Sequence, residues 1–369
     1  MIKLFEVIVR NFAKINLYNI KENFRRLSRT RPAVAVVKAD AYGHGAVEVA
    51  RALDSDALAF AVSNIDEAEA LVGAAIKSPV VVLGDGYAPE FERAVDAGIV
   101  VSVGNEKNAL LLNEAARRKN KRARAFICVN TGMNRDGFEH TDISGVGAVL
   151  GLKNVDVVGI YSHPARSGDD EFTSLQLARF NMLKSVYVGR RDLLWSFPSS
   201  ASIGAGDDVA RIGVSLYGMS PSGENDAALL PALSFCAAIV SRRCVKKGEF
   251  VGYGTAFCAF RDMEIATVSA GYGDGVPRAY AAGGHVIIGG KRAKIVGNVC
   301  MDALMVAVDG IDFSVGDTAT IIGGDGGEKI SAEDVARACG TINYEIVCGI
   351  SKRVPRIYKG SENNEPNQI

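Results

Sequence analysis

The chain has 369 residues, 48% of them hydrophobic, and its 42 Lys plus Arg balance 42 Asp plus Glu. That mixture is ordinary for a globular chain and excludes global disorder. Without a basic stripe, neither nucleic acid nor an anionic membrane surface is an expected partner, so a small-molecule substrate is the default. No apolar run approaches the ~20 residues a membrane helix needs. The N-terminal MIKLFEVIVRNFAKINL scatters charges through its apolar residues and lacks the continuous apolar core of a signal peptide. Cytoplasmic localisation is therefore expected. The seven cysteines are irregularly spaced without a C-x-x-C, which reads as reduced thiols rather than a disulfide framework or a metal site.

From Ala33 onward, short apolar runs alternate with helix-period stretches. The runs are AVAVV (33–37), ALAFAV (57–62), PVVVL (79–83), IVVSV (99–103), AFICV (125–129), VDVVGIY (155–161), LLWSF (193–197) and VARIGV (209–214). They are rich in β-branched or aromatic residues and bounded by turn formers, as strands are. Between them, Ala46, Val49, Ala50 and Leu53 share one helical face, and residues 105–120 open on an N-cap Asn and end in a basic turn. Eight such runs with crossover helices predict a (β/α)8 barrel, an α/β fold of the TIM type, with a doubly wound open sheet as the alternative. After Pro231 the texture changes to strand-like runs at 235–241, 264–270, 286–289, 303–309 and 318–323, separated by Gly-rich turns. There only SAEDVARACG (331–340) reads as a helix. The expected domains are a barrel over 9–230 and a mainly β domain over 231–369, to which residues 1–8 add a strand. The polar tail SENNEPNQI is expected to fray.

The first run ends in AVVKADAYGHG (35–45). The C-terminal ends of barrel strands form the active-site face, so Lys38 would stand there on a rigid element. Desolvation at a strand end lowers an amine's pKa, and a neutral amine is what Schiff-base chemistry needs. The plain alternative is a strand-end lysine snorkelling to solvent.

AVVKADAYGHG resembles the cofactor-binding motif of the alanine racemases. The likeness continues in order through NTGMNRDG (130–137), VARIGVSLYG (209–218), VGYGTAF (251–257), GYGDGVPR (271–278), GNVCMD (297–302) and TINYEIVCGISKRVPRIY (341–358). It implies a pyridoxal 5'-phosphate enzyme that interconverts L- and D-alanine as a homodimer with shared active sites. The D-alanine would feed peptidoglycan synthesis in a bacterium.

By the same resemblance, Lys38 is the lysine that holds the cofactor. Tyr42 and Tyr344 touch its phosphate, and Ser200, Gly213 and Val214 cradle that phosphate. Arg211 faces the pyridine nitrogen. With a pKa above ~12 it does not give up its proton, so the ring stays a weaker electron sink and side reactions are limited. His163 hydrogen-bonds this arginine. Arg135 meets the substrate carboxylate and the cofactor's phenolate oxygen, and the backbone at Met301 of the partner chain is a second substrate contact. Racemisation needs a proton taken from one face of the α-carbon and one delivered to the other, which two opposed groups do most simply. Lys38 is one, and Tyr272, reaching in from the partner subunit, is the other. No residue is expected to bind metal.

The chain departs from the family pattern at three places. Cys128 replaces a lysine whose carbamate steadies the active-site arginine. Ser199 replaces an asparagine. PARSGDD after His163 replaces a shorter loop at the substrate entrance. At position 128 the favoured substitute for the lost charge is a small anion such as chloride shaped by Cys128 and Asn130, because a thiol is too short to reach the same point. The alternatives are a thiolate made by the neighbouring arginine, or a water that fills the gap with nothing compensating. The rival functions are a racemase of broader range acting on serine, a pyridoxal-phosphate decarboxylase, and a non-catalytic cofactor-binding protein. The second carries an H-V-G-S-G motif not found here, and the third would need no Tyr272.

Overall fold

The computed structural model describes residues 9–166, 170–197 and 207–360. The chain divides into two units, Lys21–Ser222 and a second that joins the chain up to Ile20 to the part from Gly223 onward.

Within the first unit, eight parallel strands pair in the order β8-β1-β2-β3-β4-β5-β6-β7. They are β1 (Ala33–Val36), β2 (Ala59–Val62), β3 (Val80–Val82), β4 (Val100–Val103), β5 (Ala123–Asn130), β6 (Val155–Tyr161), β7 (Leu194–Ser196) and β8 (Ala210–Ile212). Every residue of β1–β4 is buried, as expected of parallel strands covered on both faces. The last strand pairs with the first, Arg211 opposite Val34, which separates a barrel from an open doubly wound sheet. The gap between β7 and β8 is bridged at its base, where Asp208 N–H donates to Trp195 O (3.0 Å) and Ser196 Oγ donates to Val209 O (2.8 Å). The result is a nearly closed barrel. Helices at Ala46–Leu53, Ile65–Gly73, Phe91–Ala97, Glu106–Arg118, Ile143–Leu150 and Glu171–Val186 follow the first six strands. Asn64, Asn105, Asp142 and Asp170 cap four of them by accepting a backbone N–H, each cap worth about 1 kcal/mol.

The second unit is mainly β. Its longest strand, Leu233–Val245, pairs antiparallel with Asn11–Asn16, Met263–Val268 and Thr318–Asp325, while Arg356–Lys359 pairs parallel with Asn11–Asn16. The N-terminal contribution to this sheet is therefore Asn11–Asn16; residues 1–8 lie outside the described part, as does the tail from 361. The helix expected at 331–340 runs Ala332–Cys339, closed at its start by a Ser331/Asp334 capping box. A second helix, Asn343–Cys348, went unread in the sequence. At six residues it is too short for a periodic pattern, and its buried Ile346 and Val347 are adjacent.

The segment after β1 carries the least ordinary backbone. Lys38 is followed by four residues in the left-handed region, Ala39, Asp40, Ala41 and Tyr42, all with φ of 53–54°. Each costs an L-residue roughly 1–2 kcal/mol, so surrounding contacts must impose the turn. Ala39 N–H donates to Glu67 Oε1 (2.8 Å), Ala41 N–H to Val37 O (2.8 Å) and Gly45 N–H to Asp40 O (2.8 Å). Buried His44 places Nδ1 at 3.0 Å from Ala41 O and 2.9 Å from Tyr42 O. Both partners are carbonyls, so Nδ1 carries the proton. Tyr42 packs on Tyr217, ring centroids 5.1 Å apart, and the Tyr217 hydroxyl donates to Val36 O at 2.8 Å. Asp40 also caps the next helix, accepting from Ala46 N–H at 2.8 Å. Asp40→Val combines a β-branched residue in the left-handed region with loss of that cap, and should lower stability by about 2–3 kcal/mol. Asp40→Asn should stay within ~0.5 kcal/mol, since Asn tolerates this region and keeps the acceptor oxygen. Urea unfolding of the two variants checks both values.

Candidate active site at the barrel mouth

The barrel brings most of the expected residues to the C-terminal ends of its strands. Lys38 follows β1, and Tyr42 lies buried in the left-handed turn. Arg135 is in the loop after β5, and His163 lies just past β6. Arg211 is on β8, and Gly213 leads into the short 3-10 turn Val214–Tyr217. Ser200 and Ser199 lie outside the described residues, as does the 167–169 part of the loop after His163.

Arg211 is 5% exposed. Among the described residues none of its hydrogen bonds goes to a carboxylate. Its guanidinium donates to Ser196 O (2.8 Å), Ser196 Oγ (2.6 Å) and Ser162 O (2.6 Å), and lies 5.0 Å above the Tyr161 ring. Burial lowers its pKa from the ordinary arginine value. His163 follows the carbonyl that Arg211 grips. Burial, and then the charges of Arg211, Arg135 and Lys38, push the His163 pKa down to about 3. Three cations thus converge on one histidine, which stays neutral.

The loop between β5 and the two-residue strand Phe138–Glu139 carries Arg135. Phe138 and Glu139 pair with Val129 and Asn130, folding the loop back on the end of β5. Gly137 makes this possible: its φ is +108°, and a Cβ there would fall 2.7 Å from Asn130 N. The Asn130 side chain is committed to the same turn, accepting from Gly132 and Asn134 N–H and donating to Asn134 Oδ1 and Glu139 Oε1. It is therefore engaged in holding the loop rather than open to shape an anion site. Cys128 is 4% exposed. Burial, then the negative charge of Asp136, pushes its pKa up to about 12. An apolar surround and a neighbouring carboxylate both disfavour a thiolate here. Sequence reasoning missed Asp136, whose Oδ1 lies 3.7 Å from Cys128 Sγ and 3.5 Å from Arg135 Nε. The available signal was a charged residue directly after the arginine of NTGMNRDG.

In the β unit, Tyr272 and Met301 share a two-loop knot. Tyr272 N–H donates to Cys300 O and Gly273 N–H to Met301 O, both at 2.9 Å. A Cβ on Gly271 would sit 2.2 Å from Cys300 O, so no side chain fits there. Buried Asp274 accepts from Gly271 N–H (2.8 Å) and from Arg353 Nε (2.8 Å), while Arg353 also reaches Asp302 at 2.7 Å. Tyr272 and Met301 themselves are 46% and 53% exposed. Tyr344 is in the first turn of Asn343–Cys348, and burial raises its phenol pKa.

The neutral state of His163 has a measurable consequence. The unfolded chain takes up this proton below pH 6.5, the folded chain only near pH 3. More protons bind the unfolded state in that window, so stability is complete above it and falls as pH falls through it. In urea unfolding of the cofactor-free protein, His163→Gln should remove up to ~3 kcal/mol of that acid loss. An unchanged acid limb would contradict a buried, neutral His163.

The chain is similar throughout to known proteins. Residues 15–221 match the family model described as alanine racemase, N-terminal domain, and residues 232–358 that of the C-terminal domain. An alanine racemase of Carboxydothermus hydrogenoformans is 39% identical over 363 residues, covering 94% of this chain and 99% of that one. A solved alanine racemase of Clostridium difficile 630 superposes with a TM-score of 0.90 at 31% identity, covering 98% of each chain. The alanine racemase of Bartonella henselae, solved with covalently bound pyridoxal phosphate, gives 0.85 at 28% identity and covers 95% of this chain and all of that one. Two matching domain models in order, and end-to-end likeness at this identity, make the chain a member of the alanine racemase family.

Proposed function

We propose that the protein interconverts L-alanine and D-alanine with pyridoxal phosphate held on Lys38, working as a homodimer that completes each site with a residue of the other subunit. The observation that carries this reading is that Lys38, Arg135, His163 and Arg211 all lie on or just past the C-terminal ends of strands of a nearly closed barrel, with Arg211 buried and gripped by backbone carbonyls. That donor set suits the cofactor: a lysine at a strand end, and cations for its phenolate oxygen and for a substrate carboxylate. Tyr42, Ser200, Gly213, Val214 and Tyr344 would hold the phosphate. When bound, the cofactor draws electrons from the substrate α-carbon and so acidifies its proton.

The residues then divide the work. Lys38 Nζ holds or moves the proton on one face of the α-carbon, and Tyr272 of the partner subunit does so on the other. Arg135 pairs with the substrate carboxylate and fixes which face each base meets. Arg211 donates most of its hydrogen bonds to backbone carbonyls, which hold it without drawing off its proton. With the cofactor bound, it would leave the ring nitrogen unprotonated and so restrain side reactions. His163, neutral beside it, adds no fourth charge. The exposure of Tyr272 and Met301, on loops pinned by Asp274 and Arg353, supports their serving a partner's site. The product would supply D-alanine for peptidoglycan. Side-by-side rates with L-alanine, L-serine and L-lysine measure the range.

Lys38→Ala should abolish turnover and the borohydride-reducible adduct, and Tyr272→Phe should lower turnover of L-alanine by at least about a hundredfold. Mixing the two inactive chains should restore part of the activity, because one hybrid site holds both bases. No recovery despite demonstrated subunit exchange would count against a shared site.

A further inference from the structure

We propose that Asp136 is a positioning residue that supplies the fixed negative charge orienting Arg135, so that the chain holds this arginine with its own carboxylate and needs no carbamylated lysine or bound halide. The inference rests on the reading of Arg135 given above.

The geometry is specific. Asp136 Oδ1 receives two neighbours at once, the Cys128 thiol at 3.7 Å and Arg135 Nε at 3.5 Å. The contact is through Nε and so does not occupy the two terminal nitrogens, the pair that can meet a carboxylate in bidentate fashion. The arginine side chain is 53% exposed and the aspartate 19%, so the anion is the anchored partner and the cation the presented one. The anchoring is built into the loop. Asp136 stands between Arg135 and Gly137, whose left-handed backbone docks the segment on β5. Its second oxygen faces Gly84, where an added Cβ would lie 3.5 Å from Oδ2.

The groups around the carboxylate are already committed as donors elsewhere or held neutral. Cys128 pairs in register with Tyr161 on β6. The Tyr161 hydroxyl accepts from Gly84 N–H (3.0 Å) and donates to Ser102 Oγ (3.1 Å), which donates to Val82 O (2.7 Å). Burial raises the Tyr161 phenol well above its ordinary range and Cys128 to about 12, so neither contributes a charge. Among the described residues in this corner, Asp136 is the acidic group beside Arg135. Without it, Arg135 would face only the like charges of Lys38 and Arg211 and swing toward solvent. A lysine at 128 would compete for the same carboxylate, whereas a thiol donates to it and leaves its charge intact.

The test is racemisation by the holoenzyme in chloride and in gluconate at equal ionic strength, with and without bicarbonate. The wild type should run at one rate in all four. Asp136→Asn, which keeps the shape and the thiol's acceptor, should lose about tenfold or more in kcat/KM in gluconate, and chloride or formate should restore part of it. Crystals of Asp136→Asn soaked in bromide should show anomalous density between Arg135 and Cys128, and wild-type crystals none there. Asp136→Ser serves if the Asn variant does not fold. A wild type that slows in gluconate without bicarbonate, wild-type bromide at that point, or a folded Asp136→Asn with unchanged rate and salt response would each overturn the proposal. Arg135→Lys separates the two readings. If it leaves kinetics unchanged, the role of Arg135 fails; if it is impaired while Asp136→Asn is not, only the role of Asp136 fails.

Discussion

Three cations share the mouth of one barrel, and the surrounding structure is arranged so that they can stay there. Burial first, and then the charges of Arg211, Arg135 and Lys38, hold His163 neutral. Like charges this close repel, so each must be restrained by something other than its neighbours. Arg211 is gripped by the carbonyls of Ser162 and Ser196 and covered by the Tyr161 ring. Lys38 is planted by a left-handed turn that Glu67, Asp40 and His44 enforce. Arg135 has Asp136. The devices differ in kind, but each restrains a cation.

Stability and function meet at the same places. The turn after β1 is strained, and that strain is tolerated because β1 and β2 beneath it are buried at every position. In the β unit the equivalent investment is the knot of Gly271, Asp274 and Arg353, which fixes two exposed side chains on a rigid base. Both are cases of a reactive group standing on backbone that the local packing over-determines.

Much of this was legible in the sequence, for physical reasons. Fully buried parallel strands read as unbroken apolar runs, so AVAVV, ALAFAV and PVVVL announced β1–β3, and Asn105 announced its helix because a cap needs a side-chain acceptor at that place. The left-handed turn was not legible. Ala-Asp-Ala-Tyr has no glycine to signal a positive φ, and the turn is imposed by residues as distant as Glu67. The helix Asn343–Cys348 was too short to show a period. At Cys128 the sequence marked that a charge was missing, yet the proposed answer lay eight positions on, in a residue of the loop that returns to pair parallel with β5. A thiol's ionisation likewise depends on burial and on a neighbour that spacing alone does not reveal.

The central proposal is that buried Arg211 would keep the bound cofactor's ring nitrogen free of a proton, while Arg135 meets the substrate carboxylate and Lys38 handles the α-carbon proton. The direct measurement is the nitrogen-15 NMR shift of the pyridine nitrogen in holoenzyme reconstituted with labelled pyridoxal phosphate. The shift should lie in the unprotonated range throughout neutral pH, and move to the protonated range when Arg211→Glu places an acid there. A protonated pyridine nitrogen in the wild type would contradict the assignment of Arg211 and the charge balance built on it.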